Sequence, residues 1–187
     1  MNYKLEKNMK LILMSLLTLI GLGLLFSRTA SANDMPTVGQ MAPDFKVIDQ
    51  HNQLQSLSNY RGKWVVLYFY PKDETPGCTT EACAYRDDFN QVKKLGGVVI
   101  GVSIDDATSH AEFAANHHLP FPLLADKDGS ISRSYGSERN LLGYKIAKRN
   151  TFIIDPAGKI AKVYESVDAG ENPKEVIADL NQLVNQK

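Results

Sequence analysis

Trp64-Val-Val-Leu-Tyr-Phe-Tyr-Pro71, followed by Lys72-Asp-Glu-Thr-Pro-Gly77 and Cys78-Thr-Thr-Glu-Ala-Cys83, sets out in twenty residues an apolar run, a turn and the opening of a helix. The run at residues 64–70 is continuously apolar, as a strand covered on both faces should be. Thr75 then stands at an N-cap with Pro76 at the first helical position, a favoured pairing, and the helix is expected to run to about Leu95, where Gly96-Gly97 stops it. Val98-Val-Ile-Gly-Val-Ser-Ile104 is a second continuous apolar strand. Strand, helix, strand in this order implies a right-handed parallel crossover.

Outward from this unit, residues 45–48 and 54–57 read as short strands on either side of the polar turn Asp49-Gln-His-Asn52. Residues 108–117 should form a helix, residues 121–124 a strand and residues 130–135 a short helix or turn. Residues 151–155 and 159–165 flank Pro156-Ala-Gly158 as an antiparallel hairpin. Asn172 is expected to cap a last helix in which Val176, Ile177, Leu180, Leu183 and Val184 recur at helical spacing. Parallel units first and an antiparallel hairpin plus helix last make an α/β three-layer sandwich around a central mixed β-sheet, the layout of a thioredoxin-like fold.

Residues 1–32 belong to a different account. Lys4, Lys7 and Lys10 precede an apolar run at residues 11–26, and Ala30-Ser31-Ala32 is a small-residue cleavage pattern. A signal peptide is the expectation; an uncleaved membrane anchor at residues 11–26 is the alternative, since these sixteen residues fall short of the ~20 that span a bilayer. Residues 33–187 then form one domain. Removing Lys4, Lys7, Lys10, Arg28 and Glu6 from 21 basic and 21 acidic residues leaves 17 against 20, a net charge of about −3. No basic block is interleaved with aromatics, so nucleic acid is not an expected partner.

Cys78 and Cys83 are the only two cysteines. A sulfur in the first turn of a helix lies among unpaired backbone N–H groups and the positive end of the helix dipole, where a thiolate is favoured and a nucleophile is to be suspected. An exported chain with an even cysteine pair would ordinarily suggest a structural disulfide. Five residues along one helix, however, separate the Cα atoms by ~8.5 Å, beyond the ~7 Å that a disulfide bridges without backbone movement. A bond between them is more plausible as a transient state than as a permanent support.

The segment from Pro71 through Thr75 to Cys78 resembles the P-x-x-x-T-x-x-C signature of the peroxiredoxins, and Cys83 five residues on resembles the bacterioferritin comigratory protein or peroxiredoxin Q branch. Met41-Ala-Pro-Asp-Phe45, Tyr68-Phe-Tyr-Pro71, Phe121-Pro-Leu-Leu124 and Arg149-Asn-Thr-Phe-Ile-Ile-Asp155 extend the likeness over nearly all of residues 33–187, as one domain of the AhpC/TSA type. The resemblance implies a thiol-dependent peroxidase. Cys78 would be peroxidatic and Cys83 resolving, with the Thr75 hydroxyl, the Cys78 N–H and Arg149 holding a peroxide that Pro71 shields. It also implies an intramolecular Cys78 to Cys83 disulfide that requires the helix to open, and a thioredoxin-like reductant, with no cofactor; with the resolving cysteine in the same chain a monomer is expected, a dimer through an exposed apolar edge being the alternative. With the leader, the bacterial periplasm is the expected compartment.

Some residues carry plainer readings. Glu81 reads as a first-turn acid that stabilises the helix dipole and whose negative charge would also temper the stabilisation of a Cys78 thiolate, and Arg86 as its surface partner. His51, His110, His117 and His118 are dispersed away from the cysteines, so no zinc site is expected. Trp64, Tyr68 and Phe69 read as core, with Tyr68 or Tyr70 also available to a pocket wall. Two rival functions are an exported thiol-disulfide oxidoreductase and a redox-sensing module. Against the first, no C-x-x-C is present, and Arg149 stands where thioredoxins carry a proline.

Overall fold

The computed structural model describes residues 35–186; the apolar run at residues 11–26 and the cleavage pattern at residues 30–32 lie outside them. Among the described residues no helix is long and apolar enough to cross a membrane. The elements are β1 (Lys46–Ile48), β2 (Leu54–Ser56), a 3-10 turn (Leu57–Tyr60), β3 (Trp64–Phe69), α1 (Pro76–Asp87), α2 (Phe89–Lys94), β4 (Gly97–Ser103), α3 (Ala107–Asn116), β5 (Leu123–Ala125), α4 (Ser130–Ser134), β6 (Glu138–Leu141), β7 (Tyr144–Ala147), β8 (Thr151–Ile154), β9 (Ile160–Tyr164) and α5 (Asn172–Asn185).

Five strands form the central sheet in the order β5-β4-β3-β8-β9. β3 pairs with β4 in parallel, from Trp64 opposite Gly97 to Phe69 opposite Val102, and β4 pairs with β5 in parallel. β8 runs antiparallel to β3 and to β9. The sheet is therefore mixed, with β3 at its centre, as the two continuous apolar strands and the late hairpin imply.

Alternation along β3 divides the core. Trp64, Val66, Tyr68 and Tyr70 point to one face, where Cys78, Ala82 and Tyr85 of α1, Val92 of α2, Phe113 of α3 and Val176, Ile177 and Leu180 of α5 cover them. Val65, Leu67 and Phe69 point to the other, against Phe45, Leu57, Ile131, Tyr135, Phe152 and Ile160. That second face is closed by the N-terminal segment, the 3-10 turn and the five-residue α4. Gly101 sits in β4 because the Tyr68 ring and Leu123 occupy the space of a side chain: a Cβ there would lie 2.8 Å from each.

Two expectations are corrected, and one element is added. The single helix over residues 76–95 breaks at Asp88 (φ −95°, ψ 6°), so α1 and α2 are separate. Asn172 does not cap α5: it is the first helical residue, buried, and its Oδ1 accepts from Thr151 Oγ1 at 2.8 Å. The β6–β7 hairpin is not announced by the sequence: its residues are largely exposed, with no steady polar and apolar alternation, and the turn is made by Leu142 (φ +53°) and Gly143 (φ +89°).

Candidate active site

α1 begins where β3 ends, on the side of the sheet that carries Tyr68 and Tyr70. Thr75 occupies the N-cap position in extended conformation (φ −80°, ψ 146°) with Pro76 at the start of the helix. Its hydroxyl does not bond a helix N–H. Oγ1 donates instead to the Lys72 carbonyl at 3.0 Å, closing the loop between Pro71 and the helix. The first-turn N–H groups, among them that of Cys78, lack the side-chain cap that usually occupies them.

Cys78 is buried and Cys83 half-buried, and both are free thiols. Arg149 reaches Cys78 from the strand next to β3. It directly precedes β8, the antiparallel neighbour of β3. Its carbonyl accepts from Val167 N–H at 3.0 Å, and the next carbonyl, of Asn150, accepts from Phe69 N–H at 2.8 Å, which fixes the backbone from which the guanidinium extends. Arg149 Nη2 then lies 3.4 Å from Cys78 Sγ. Gly77 leaves room for it, since a Cβ there would come within 3.3 Å of the same Nη2.

The second arm of the guanidinium holds Glu81. Nη1 pairs with Glu81 Oε2, while Glu81 Oε1 has no hydrogen-bond partner within the protein. The first-turn surface role expected for Glu81 is thus overturned: Glu81 is in the second turn and fully buried beneath Arg149. Nor does Arg86 pair with it. Arg86 bonds Asp87 and the His117 carbonyl. The sequence allows Glu81 a charge effect on Cys78 but not its burial against Arg149, because a carboxylate in a helix is ordinarily solvated; the available signal is its position three residues after Cys78, on the same helical face.

Burial pushes the Glu81 carboxyl up to about 7, although the charge and N–H of Arg149 pull it down and Asp168 adds to the rise. Burial works against the Arg149 charge, but Glu81 and Cys78 more than offset this and raise its pKa. Because the folded state binds the Glu81 proton more tightly than an ordinary carboxyl of 4.5, the stabilisation it gives is complete below about pH 4.5 and lost as pH rises through about 7. The unfolding free energy of the native protein minus that of Glu81→Gln should therefore fall by roughly 3 kcal/mol between pH 4.5 and 7.5. Urea titrations at both ends of the window measure it, and a difference that stays constant refutes the assignment.

Of the residues singled out from the sequence, Cys78 and Arg149 are in direct contact, Thr75 stands at the mouth of the same helix, and Pro71 is half-buried at the end of β3. Cys83 lies farther along α1, ~8.5 Å away by helical geometry. Tyr68 is packed in the core, its hydroxyl unpartnered, with its ring 4.8 Å from that of Tyr85. Among the described residues no three His, Cys, Asp or Glu side chains gather to hold a metal ion.

A sulfur nucleophile at a helix N-terminus, faced by a half-buried guanidinium on a thioredoxin-like sheet, is the equipment of a thiol-dependent oxidoreductase. The model of the AhpC/TSA family matches residues 38–163. Over 147 residues the chain is 44% identical to the putative peroxiredoxin bcp of Coxiella burnetii, spanning 76% of this chain and 97% of that one. Among solved structures it resembles peroxidoxin BcpB from Mycobacterium tuberculosis, with a TM-score of 0.75 and 33% identity over 80% of this chain and 99% of that one. It also resembles the bacterioferritin comigratory protein of Xanthomonas campestris, whose structure bears on the alkyl peroxide reduction activity of that protein (TM-score 0.73, 29% identity, 80% and 100% covered). The chain belongs to the AhpC/TSA family, in its peroxiredoxin Bcp and Q branch, and is a thiol peroxidase.

Proposed function

We propose that the protein reduces hydrogen peroxide and organic hydroperoxides to water and alcohols through Cys78, with Cys83 resolving the product and a thioredoxin-like dithiol restoring both. The observation that carries this reading is the Arg149 Nη2 to Cys78 Sγ contact of 3.4 Å at the start of α1. A cation there favours the thiolate and presents donors to a peroxide oxygen as charge develops on it. With its own proton committed to Lys72, Thr75 Oγ1 has lone pairs left to accept the peroxide O–H.

The Cys78 thiolate attacks one peroxide oxygen. The O–O bond breaks, its electron pair leaves with the other oxygen, and that alkoxide or hydroxide takes a proton to become alcohol or water; Cys78 becomes a sulfenic acid. The Cys83 sulfur then attacks Cys78, forming a disulfide and expelling water, and a dithiol reductant supplies two electrons and two protons to regenerate both thiols. The ~8.5 Å between the two positions on a helix means that α1 must unwind before they bond. The leader at residues 1–32 supports export to the periplasm, and the presence of both cysteines in one chain supports a monomeric cycle.

Mass-spectrometric mapping after one equivalent of peroxide tests the cycle. A Cys78 to Cys83 disulfide is expected in the native protein, and in Cys83→Ser a sulfenic acid that halts dithiol-driven turnover. Persistent sulfenic acid in the native protein, or undiminished turnover by Cys83→Ser, removes Cys83 from this role.

A further inference from the structure

The loop of residues 71–75 carries Pro71 and Thr75, and between them Asp73 turns into the protein interior. Its carboxylate is buried and accepts from Tyr70 Oη at 2.7 Å and from Ser109 Oγ at 2.7 Å, and it faces His110 Nδ1 at 2.8 Å. His110 is fully buried, and its other nitrogen, Nε2, lies 3.1 Å from the Leu124 carbonyl. Both ring nitrogens thus face oxygens. The Asp73 N–H is held in turn by Asp105 Oδ2 at 2.9 Å, itself bonded by Ser103 Oγ at 2.6 Å. The next residue, Glu74, has φ +57° and grips the far end of the same helix, accepting from Asn116 Nδ2 at 2.9 Å and facing His117 Nε2 at 3.0 Å. Two successive loop acids are therefore fastened to the two ends of α3.

A buried carboxylate and histidine are a poor source of stability, since desolvation offsets much of their attraction and apolar side chains would fill the space as well. What the fully bonded arrangement supplies is position. We infer that Tyr70, Asp73, Ser109 and His110 form an anchor that fixes the loop bearing Thr75, and that His110 is a positioning residue for peroxide reduction. The inference rests on the peroxidase reading above. His110 touches no reacting atom; it acts through Asp73 on where the Thr75 hydroxyl stands relative to the Cys78 sulfur.

The test is the single-turnover oxidation of Cys78 by hydrogen peroxide, set beside the alkylation of Cys78 by iodoacetamide, an electrophile that needs the thiolate but not the Thr75 hydroxyl. His110→Leu, which removes both ring nitrogens, should lower the peroxide rate about 30- to 100-fold, the scale of a misplacement near 1 Å, and the iodoacetamide rate less than about 3-fold. His110→Asn, whose amide can still donate to Asp73, should recover most of the peroxide rate. In a Thr75→Val background the same His110→Leu change should cost less than about 3-fold more, because coupled residues are not additive. A peroxide rate within 3-fold of native in folded His110→Leu, a parallel fall in both rates, or full additivity with Thr75→Val overturns the inference. Should His110→Leu fail to fold, Ser109→Ala removes one donor from the half-buried edge of the anchor and must show the same divergence of the two rates in smaller measure. Absence of peroxide oxidation in the native protein would instead refute the peroxidase reading itself.

Discussion

Cys78→Ser should lose peroxide reduction by a factor on the order of 10⁶, the scale seen when an enzyme is deprived of its nucleophile. A serine hydroxyl in the same first turn receives the same helix N–H groups and the same Arg149 donor, but it is not ionised near neutral pH and has no accessible oxidation ladder on which to store the transferred oxygen. The loss corresponds to about 8 kcal/mol of barrier. The fold should survive, because Cys78 contributes one small buried side chain to a core organised around Tyr68, Tyr85, Phe121 and Leu123. Peroxide consumption under excess dithiol, with circular dichroism as the control for folding, measures the result; residual turnover above a thousandth of native would mean that Cys83 or another group can carry the reaction.

Arg149→Gln should lower the second-order rate of Cys78 oxidation by about 10²- to 10³-fold, the range for removing a preorganised donor aimed at developing charge. The shape of the guanidinium matters as well as its charge. One nitrogen meets Cys78 and another meets Glu81, so Arg149→Lys, with a single point of charge on a flexible stem, can satisfy one of them but not both. Partial recovery is therefore expected from lysine. A second consequence separates catalysis from stability. Removing Arg149 leaves Glu81 fully buried with neither oxygen paired, so Arg149→Gln should also destabilise the protein, and more so at pH 8 than at pH 5, since the unpaired carboxylate can take a proton at the lower pH. Adding Glu81→Gln should restore much of the stability without restoring the peroxide rate. Equal recovery of both would show that Arg149 acts only by holding Glu81.

The parts of this site that could be read from the sequence are those whose cause is local. β3 and β4 declare themselves by unbroken apolar runs, and Thr75-Pro76-Gly77 announces a helix start wherever it falls. Arg149 is different. Seventy-one residues from Cys78, it could be assigned only because the segment around it resembled a known family; nothing in its own neighbourhood marks it as different from a surface arginine. Glu81 shows the limit most clearly. Its spacing puts it on the helical face of Cys78, but its pairing with Arg149, which precedes β8, is a long-range contact that no pattern within α1 carries. Asn172 was misread for a related reason: an asparagine before a helical pattern looks like a cap, but here its side chain is drawn to Thr151 on the sheet. The break at Asp88 is not marked by Gly or Pro; its signal is the weaker one of Asp87, Asp88 and Asn90, poor helix formers that favour helix starts. Asp73 and His110, at i and i+37, belong to the same class of long-range pairing.

That break at Asp88 has a bearing on how a reductant would recognise its target. α1 is thinly attached: the side chains it buries are Cys78, Glu81, Ala82 and Tyr85, and only Tyr85 brings a large apolar surface. α2 starts afresh at Phe89 and sets Val92 into the core beneath Gly97, where a Cβ would lie 2.9 Å from the Val92 methyl. Melting of residues 76–87 would thus end at a natural boundary, leaving α2 and the sheet as they are. In the proposed cycle the oxidised protein would then present a Cys78 to Cys83 disulfide on a slack, extended peptide attached to an unchanged body. A partner dithiol could draw such a peptide into its own cleft by backbone pairing, without needing a complementary surface on the folded part, so one reductant could serve several proteins that share little beyond a loosened cysteine segment.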